Sequence, residues 1–186
     1  MKKVIFLSVA VFVFILSACA PSEGVTAKDI KRINKNADFE LNFLEDVSQK
    51  DLSGFECKND FHGVTYKVYY NPNKYQYTPS DVVLSGEPIV EYTVSPYPYL
   101  DNSDARFVTG ILCSDPEITF FDGLSINSDA ETCKQRFEKA GYSFSKSEFW
   151  DQLFLTAEKD DITICINKGV SFQITYDVKW RDIIIY

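Results

Sequence analysis

A helix start is written into residues 120–140 and narrows the folds open to this chain. Ser128 and Glu131 form an S-x-x-E capping box. The Ser128 hydroxyl can accept the N–H of Glu131 while the Glu131 carboxylate accepts that of Ser128. Asp129 and Glu131 place negative charge in the first turn, where the helix dipole favours it. Ala130, Cys133, Phe137 and Ala140 then recur at spacings of three, four and three, a single apolar stripe. Lys134, Gln135, Arg136, Glu138 and Lys139 fill the opposite face, and Gly141 supplies the stop. Residues beyond Gly141 alternate with period two, so this helix is expected to cover one face of a sheet.

That sheet is legible on both sides of the helix. After it, Leu153, Leu155 and Ala157 alternate, Lys159-Asp160 turns, and Ile162, Ile164 and Ile166 answer. Asn167-Lys168-Gly169 is a short hairpin loop, and Val170, Phe172, Ile174 and Tyr176 return. Trp180 and residues 183–186 read as a last, central strand. Before the helix, Val64, Tyr66, Val68 and Tyr70 alternate with polar or aromatic neighbours, followed by strand-like runs at 82–84, 89–94 and 106–113. Pro96 and Pro98 hold Ser95-Pro96-Tyr97-Pro98-Tyr99 extended. Asp29–Asn34 is expected to make a helical turn through Ile30 and Ile33. Asp38–Leu52 is a second helix expectation, with Leu41, Leu44 and Val47 on one side and Gly54 as its stop. Each half therefore reads helix, Gly-aromatic (Gly54-Phe55, Gly141-Tyr142), then several antiparallel strands. The expected class is α+β, an antiparallel sheet with helices on one face, arranged as two tandem helix-plus-strands repeats. Residues 29–115 would form the first subdomain and 116–186 the second.

The N-terminus carries an address. Lys2 and Lys3 precede the apolar run Val4–Leu16, and Leu16-Ser17-Ala18-Cys19 ends it with small residues. This is the layout of a signal peptide over 1–18, shorter in its apolar part than the roughly 20 residues a spanning helix needs. Leu-Ser-Ala-Cys also resembles the lipobox of bacterial lipoproteins. That resemblance implies a diacylglyceryl group and fatty acyl chains such as palmitate on Cys19, cleavage before it, and a lipid-anchored protein on the extracytoplasmic face of a cell membrane. More than one acyl chain makes such anchoring stable. Residues 19–28, small and polar, would serve as a tether.

Charge and cysteine usage fit that address. The formal net charge is −8 and becomes more negative once Lys2 and Lys3 leave. An acidic surface repels nucleic acid and anionic headgroups, so the bilayer is expected as a partner through acylated Cys19 alone and nucleic acid not at all. Outside the cytoplasm, Cys57, Cys113, Cys133 and Cys165 read as candidate disulfides with three connectivities open. Strand phase suggests Cys57–Cys113 across two neighbouring strands, since Phe55 and Cys57 share a face, as do Phe107, Ile111 and Cys113. Cys133–Cys165 would remain, although Cys165 alternates out of phase with Ile162, Ile164 and Ile166. Free or buried thiols are the competing reading. The lack of C-x-x-C and the single histidine argue against a zinc site, and no cofactor is implied.

The run Phe121-x-Gly123-Leu124-x-Ile126-x-Ser128-x-x-Glu131, a helix, then Gly141-Tyr142 resembles the start of repeats in the β-lactamase-inhibitor-protein-like fold. The small envelope-assembly lipoproteins of the SmpA/OmlA type share this motif style. The resemblance implies helices on one face of an antiparallel sheet and the other face left for a partner.

Catalytic constellations are scarce. His62, the one histidine, sits beside Gly63 and reads as a turn residue. No G-x-S-x-G, H-E-x-x-H or Gly-rich phosphate loop occurs. Asp101-Asn102-Ser103-Asp104 lacks the Gly and distal Glu of a calcium loop. Asp122 and Asp129 are accounted for by a turn and a cap. Tyrosine stands out: eight of eleven fall within 66–99. Tyrosine suits sheets and recognition surfaces alike. Alternation leaves Tyr69, together with Tyr97 and Tyr99, as the candidate binding residues, on the sheet face away from the helices. Three functional classes stay open: a noncatalytic protein-binding or inhibitory module with an unidentified protein partner, a structural accessory of envelope assembly, and an enzyme with an unrecognised site.

Overall fold

The computed structural model describes residues 27–59, 67–75, 88–95 and 106–176. The signal peptide, Cys19, His62, Tyr97, Tyr99, Asp101–Asp104, Trp180 and the expected strand at 183–186 lie outside them. The elements run α1 (Ala27–Asn34), β1 (Glu56–Asn59), β2 (Lys67–Tyr70), β3 (Val90–Ser95), β4 (Phe107–Cys113), α2 (Ala130–Lys139), β5 (Ser143–Phe149), β6 (Gln152–Lys159), β7 (Ile162–Asn167) and β8 (Ser171–Tyr176). Among the described residues all strands join one antiparallel sheet in the order β1-β2-β3-β4-β8-β7-β6-β5. The fold is α+β, with one helix before each run of four strands. The two runs meet at their last strands, where Ile111 faces Ile174 and Cys113 faces Phe172.

One row of side chains crosses all eight strands: Phe144, Ala157, Ile164, Ile174, Ile111, Tyr92, Tyr69 and Cys57. It lies on the inner face, which the helices cover. Phe137 of α2 stacks on Phe144, and Cys133 is fully buried beside it in the core. The neighbouring outer row is Ser145, Thr156, Cys165, Gln173, Leu112 and Glu91. Strand alternation thus produces a helix-covered apolar face and a mostly polar outer one. Gly110 lets β4 approach β3 at a register shift, since a Cβ there would stand 3.0 Å from the Thr93 Cβ.

Helix α2 forms as expected, but its cap is one residue later. Asp129, not Ser128, is the N-cap, its carboxylate accepting the N–H of Thr132 at 2.8 Å. The Ser128 hydroxyl instead accepts the N–H of Ser125 at 2.9 Å, and Glu131 accepts from Gln135. Gly141 closes the helix at φ +85°.

The expected helix at 38–52 does not form. Phe39, Leu41 and Phe43 are buried at alternate positions, the period of an extended segment. Leu44 sits at φ +57°, and Leu44 and Glu45 exchange backbone hydrogen bonds with Val108. The segment docks along the free end of β4, with Asp46 bridged to Phe107.

Helix α1 begins two residues before its expected start and is fastened to the second half. Phe121 donates its N–H to the Ile33 carbonyl, and Asp29 pairs with Lys159 at 2.8 Å. Arg32 and Lys35 bind the Asp122 carboxylate at 3.1 and 3.2 Å.

Candidate functional site

Sequence reasoning placed the candidate surface on Tyr69, Tyr97 and Tyr99. The last two lie outside the described residues, and Tyr69 is not where alternation was expected to leave it. It belongs to the inner row, half-buried between Cys57 and the fully buried Tyr92. Burial, helped by the neighbouring Cys57 thiol, raises its phenol above the usual value. Its outward-facing neighbour Tyr70 is buried as well, its hydroxyl bonded to Glu56. Tyr69 is therefore a packing residue. Strand phase was correct relative to Tyr70; the face that the helices cover was assigned the wrong way round.

The expected disulfides also fail. Cys57, Cys113, Cys133 and Cys165 are all free. Cys57 on β1 and Cys113 on β4 have β2 and β3 between them. Three strand spacings amount to about 14 Å, twice the Cα separation a disulfide tolerates. Cys133 lies under α2 on the inner face, whereas Cys165 stands on the outer row, so the sheet separates them. Desolvation pushes the Cys113 thiol up to about 12 and the Cys133 thiol up to about 11, making both neutral core side chains.

Titratable groups elsewhere have structural explanations. Burial raises Tyr92 and Tyr142, and burial with the Asp115 charge raises Tyr75 to about 12. Hydrogen bonds from Thr132 hold Asp129 below its ordinary value, as those from Ser48 do for Asp46. Asp122 is a latch between α1 and α2, since Arg136 also bonds its backbone carbonyl. Among the described residues no group of three or more His, Cys, Asp or Glu is placed to hold a metal.

The unusual surface feature is the β5–β6 hairpin tip. Phe149 is 62% exposed and Trp150 86% exposed, the exposed large hydrophobics among the described residues. Their rings stack with centroids 4.9 Å apart and planes 18° from parallel. The turn has two residues, Trp150 at φ +48° and Asp151 at φ +60°, between the paired Phe149 and Gln152. Two consecutive left-handed residues define a type I′ turn, which normally takes Asn-Gly. A bulky side chain there is uncommon and adds backbone strain of order 1–2 kcal/mol. The base of the hairpin is braced: Asn167 donates to the Gln152 side chain at 2.9 Å, and Lys168 donates its N–H to the Leu153 carbonyl. A strained turn on a braced two-stranded base presents two large apolar rings to solvent.

The signal for this site was present in the sequence. Phe149 and Trp150 are adjacent, so strand alternation can turn at most one of them toward a core. The run Glu148-Phe149-Trp150-Asp151-Gln152 lacks the Gly, Asn or Pro that marks a turn, which hid the hairpin. Comparison of this chain with protein-family profiles, curated proteins and solved structures finds no match.

Proposed function

We propose that this protein is a lipid-anchored, extracytoplasmic recognition module, noncatalytic and protein-binding or inhibitory, that meets its partner through Phe149 and Trp150. The observation that carries this reading is the exposed, stacked aromatic pair on a strained, braced turn. Folding alone would favour hiding these rings or replacing them with turn formers. Aromatic side chains dominate the energetics of protein recognition because they desolvate a large area while ordering few torsions.

Geometry also supports display away from a membrane. Lys159, at the far end of β6 from the tip, is bound to Asp29 in the first turn of α1. The seven steps from Gln152 to Lys159 span about 23 Å. A chain tethered through Cys19 and entering at Ala27 would join the domain at the end remote from Phe149 and Trp150. The acidic net charge of −8 favours a partner with a basic or neutral face.

The test uses the full anchored chain with Phe149→Thr, Trp150→Asn and Asp151→Gly combined. This replacement keeps a strand former at 149 and an ideal I′ turn while removing both rings. The variant should fold with unchanged or higher thermal stability. Envelope proteins cross-linked to the wild-type chain should fall at least tenfold, in keeping with about 2 kcal/mol or more for a central Trp. Equal capture by a folded variant overturns the reading. Cys19→Ser in the same experiment should abolish acyl labelling and membrane retention, and retention at the wild-type level removes the anchor.

A further inference from the structure

We infer that β5 is a docking edge for β5 of a second copy of this chain, paired antiparallel about Ser147. Among the described residues β5 is bonded to β6 alone and forms one margin of the sheet. The other margin, β1, has four residues; β5 has seven, without proline and in unbroken register with β6 from Ser143 to Phe149. A long, regular margin is what a second strand can extend.

The turn determines which backbone groups are free. A two-residue turn closes on a pair that exchanges both N–H···O bonds, here Phe149 with Gln152. Counting back by two, Ser147 and Ser145 also direct their backbone groups at β6. Phe144, Lys146 and Glu148 therefore turn their N–H and C=O groups outward. A second β5 can use them only in registers that set these even-numbered residues opposite one another.

Charge selects among those registers. Lys146 and Glu148 are exposed and stand 3.6 Å apart on one face of the strand. Pairing centred on Lys146 would oppose two ammonium groups, the usual way an edge is protected. Pairing centred on Ser147 sets each Lys146 against Glu148 of the other copy, twice by symmetry, and Ser145 against Phe149. Opposite charges directly across strands stabilise a pair and like charges destabilise it. The sequence Phe-Ser-Lys-Ser-Glu-Phe is thus self-complementary in that register. The interface is small and the net charge acidic, so association is weak in solution and gains from confinement on a membrane.

The test is cross-linking of the full chain in its membrane. In a Cys57→Ser background, which removes the exposed thiol, Ser147→Cys places two sulfurs across a non-hydrogen-bonded pair with Cα atoms about 4.5 Å apart. Mild oxidation should convert most of it to disulfide dimer. Ser145→Cys, about 13 Å from its counterpart in this register, should stay near the background. Adding Lys146→Glu to Ser147→Cys should lower dimer at least fivefold, and Lys146→Glu with Glu148→Lys should restore it. Equal cross-linking at 145 and 147 would mean random collision and overturns the proposal. So does a Lys146→Glu chain that dimerises like its parent, or a charge swap that does not rescue. Partner capture by the aromatic tip is a separate readout, so either idea can fail alone.

Discussion

Asp29 is 3% exposed and its carboxylate takes both oxygens to the Lys159 ammonium, at 2.8 and 3.0 Å. The same ammonium lies 5.6 Å from the Tyr142 ring centre and 3.5 Å from the Ala140 carbonyl, at the end of α2. A buried carboxylate that loses its cation stays desolvated, and that residual charge dominates the penalty. Lys159→Met should therefore cost about 2–3 kcal/mol, below the range for a fully buried pair because the lysine keeps some water contact. Asp29→Asn combined with Lys159→Met should cost less than Lys159→Met alone, since no buried carboxylate charge is then left without its lysine. Urea denaturation of the three chains checks both points; a loss under about 0.5 kcal/mol for Lys159→Met, the size of a surface change, would reduce the pair to decoration. Nothing in the sequence announced this contact. Residues 29 and 159 are 130 positions apart, and an ion pair leaves no local period to read. Tyr69 failed for a related reason: alternation separates two faces but does not say which one the helices will cover.

Local period did reveal α2. Cys133 and Phe137 are fully buried as its stripe required, and the Phe137 ring lies 4.7 Å from Phe121 and 6.3 Å from Phe144. Phe137→Ala should destabilise the fold by about 3–5 kcal/mol, the range for a buried aromatic whose cavity cannot collapse. A loss under about 1 kcal/mol in thermal or urea unfolding would place that stripe outside the core. The segment 38–52 shows where period misleads. Leu41, Leu44 and Val47 fit a helix, yet Phe39, Leu41 and Phe43 fit an extended chain equally well, and tertiary bonds decide. The Asn34 side chain both donates to the Phe43 carbonyl and accepts its N–H, while β4 pairs with the backbone just beyond. Such partners, brought from distant positions, outweigh a modest helix propensity. The aromatic hairpin tip was hidden by the opposite fault, a turn made without Gly, Asn or Pro and with Trp150 in its first position.

At the scale of the molecule, the two runs of four strands meet through β4 and β8, and α1 reaches across that seam. Its Ile33 carbonyl, Asp29 and Arg32, with Lys35 just after the helix, all bond residues beyond 116. The rhyme of helix and strands was readable only as element order: its first helix was expected at 38–52, ahead of Gly54-Phe55, and α1 at Ala27–Asn34 takes that place. The β4–β8 junction and the crossing of α1 were not, since pairing of non-consecutive strands is settled by the whole apolar surface. That arrangement ties the expected boundary near 115 to a shared core rather than to a linker. Separating the halves would expose the paired flanks of Ile111, Ile174 and Phe172 and strip α1 from Phe121 and Lys159. We therefore expect one cooperative unfolding transition for the whole domain, with circular dichroism and aromatic fluorescence tracing the same curve. Amides of β3 and β7, one from each half, should exchange hydrogen with the same free energy of opening. The excised piece 116–186, lacking both α1 and β4, should show no cooperative transition. Two separated transitions, or a folded 116–186 fragment, would show that each half carries a sufficient core and that α1 merely rests on its neighbour.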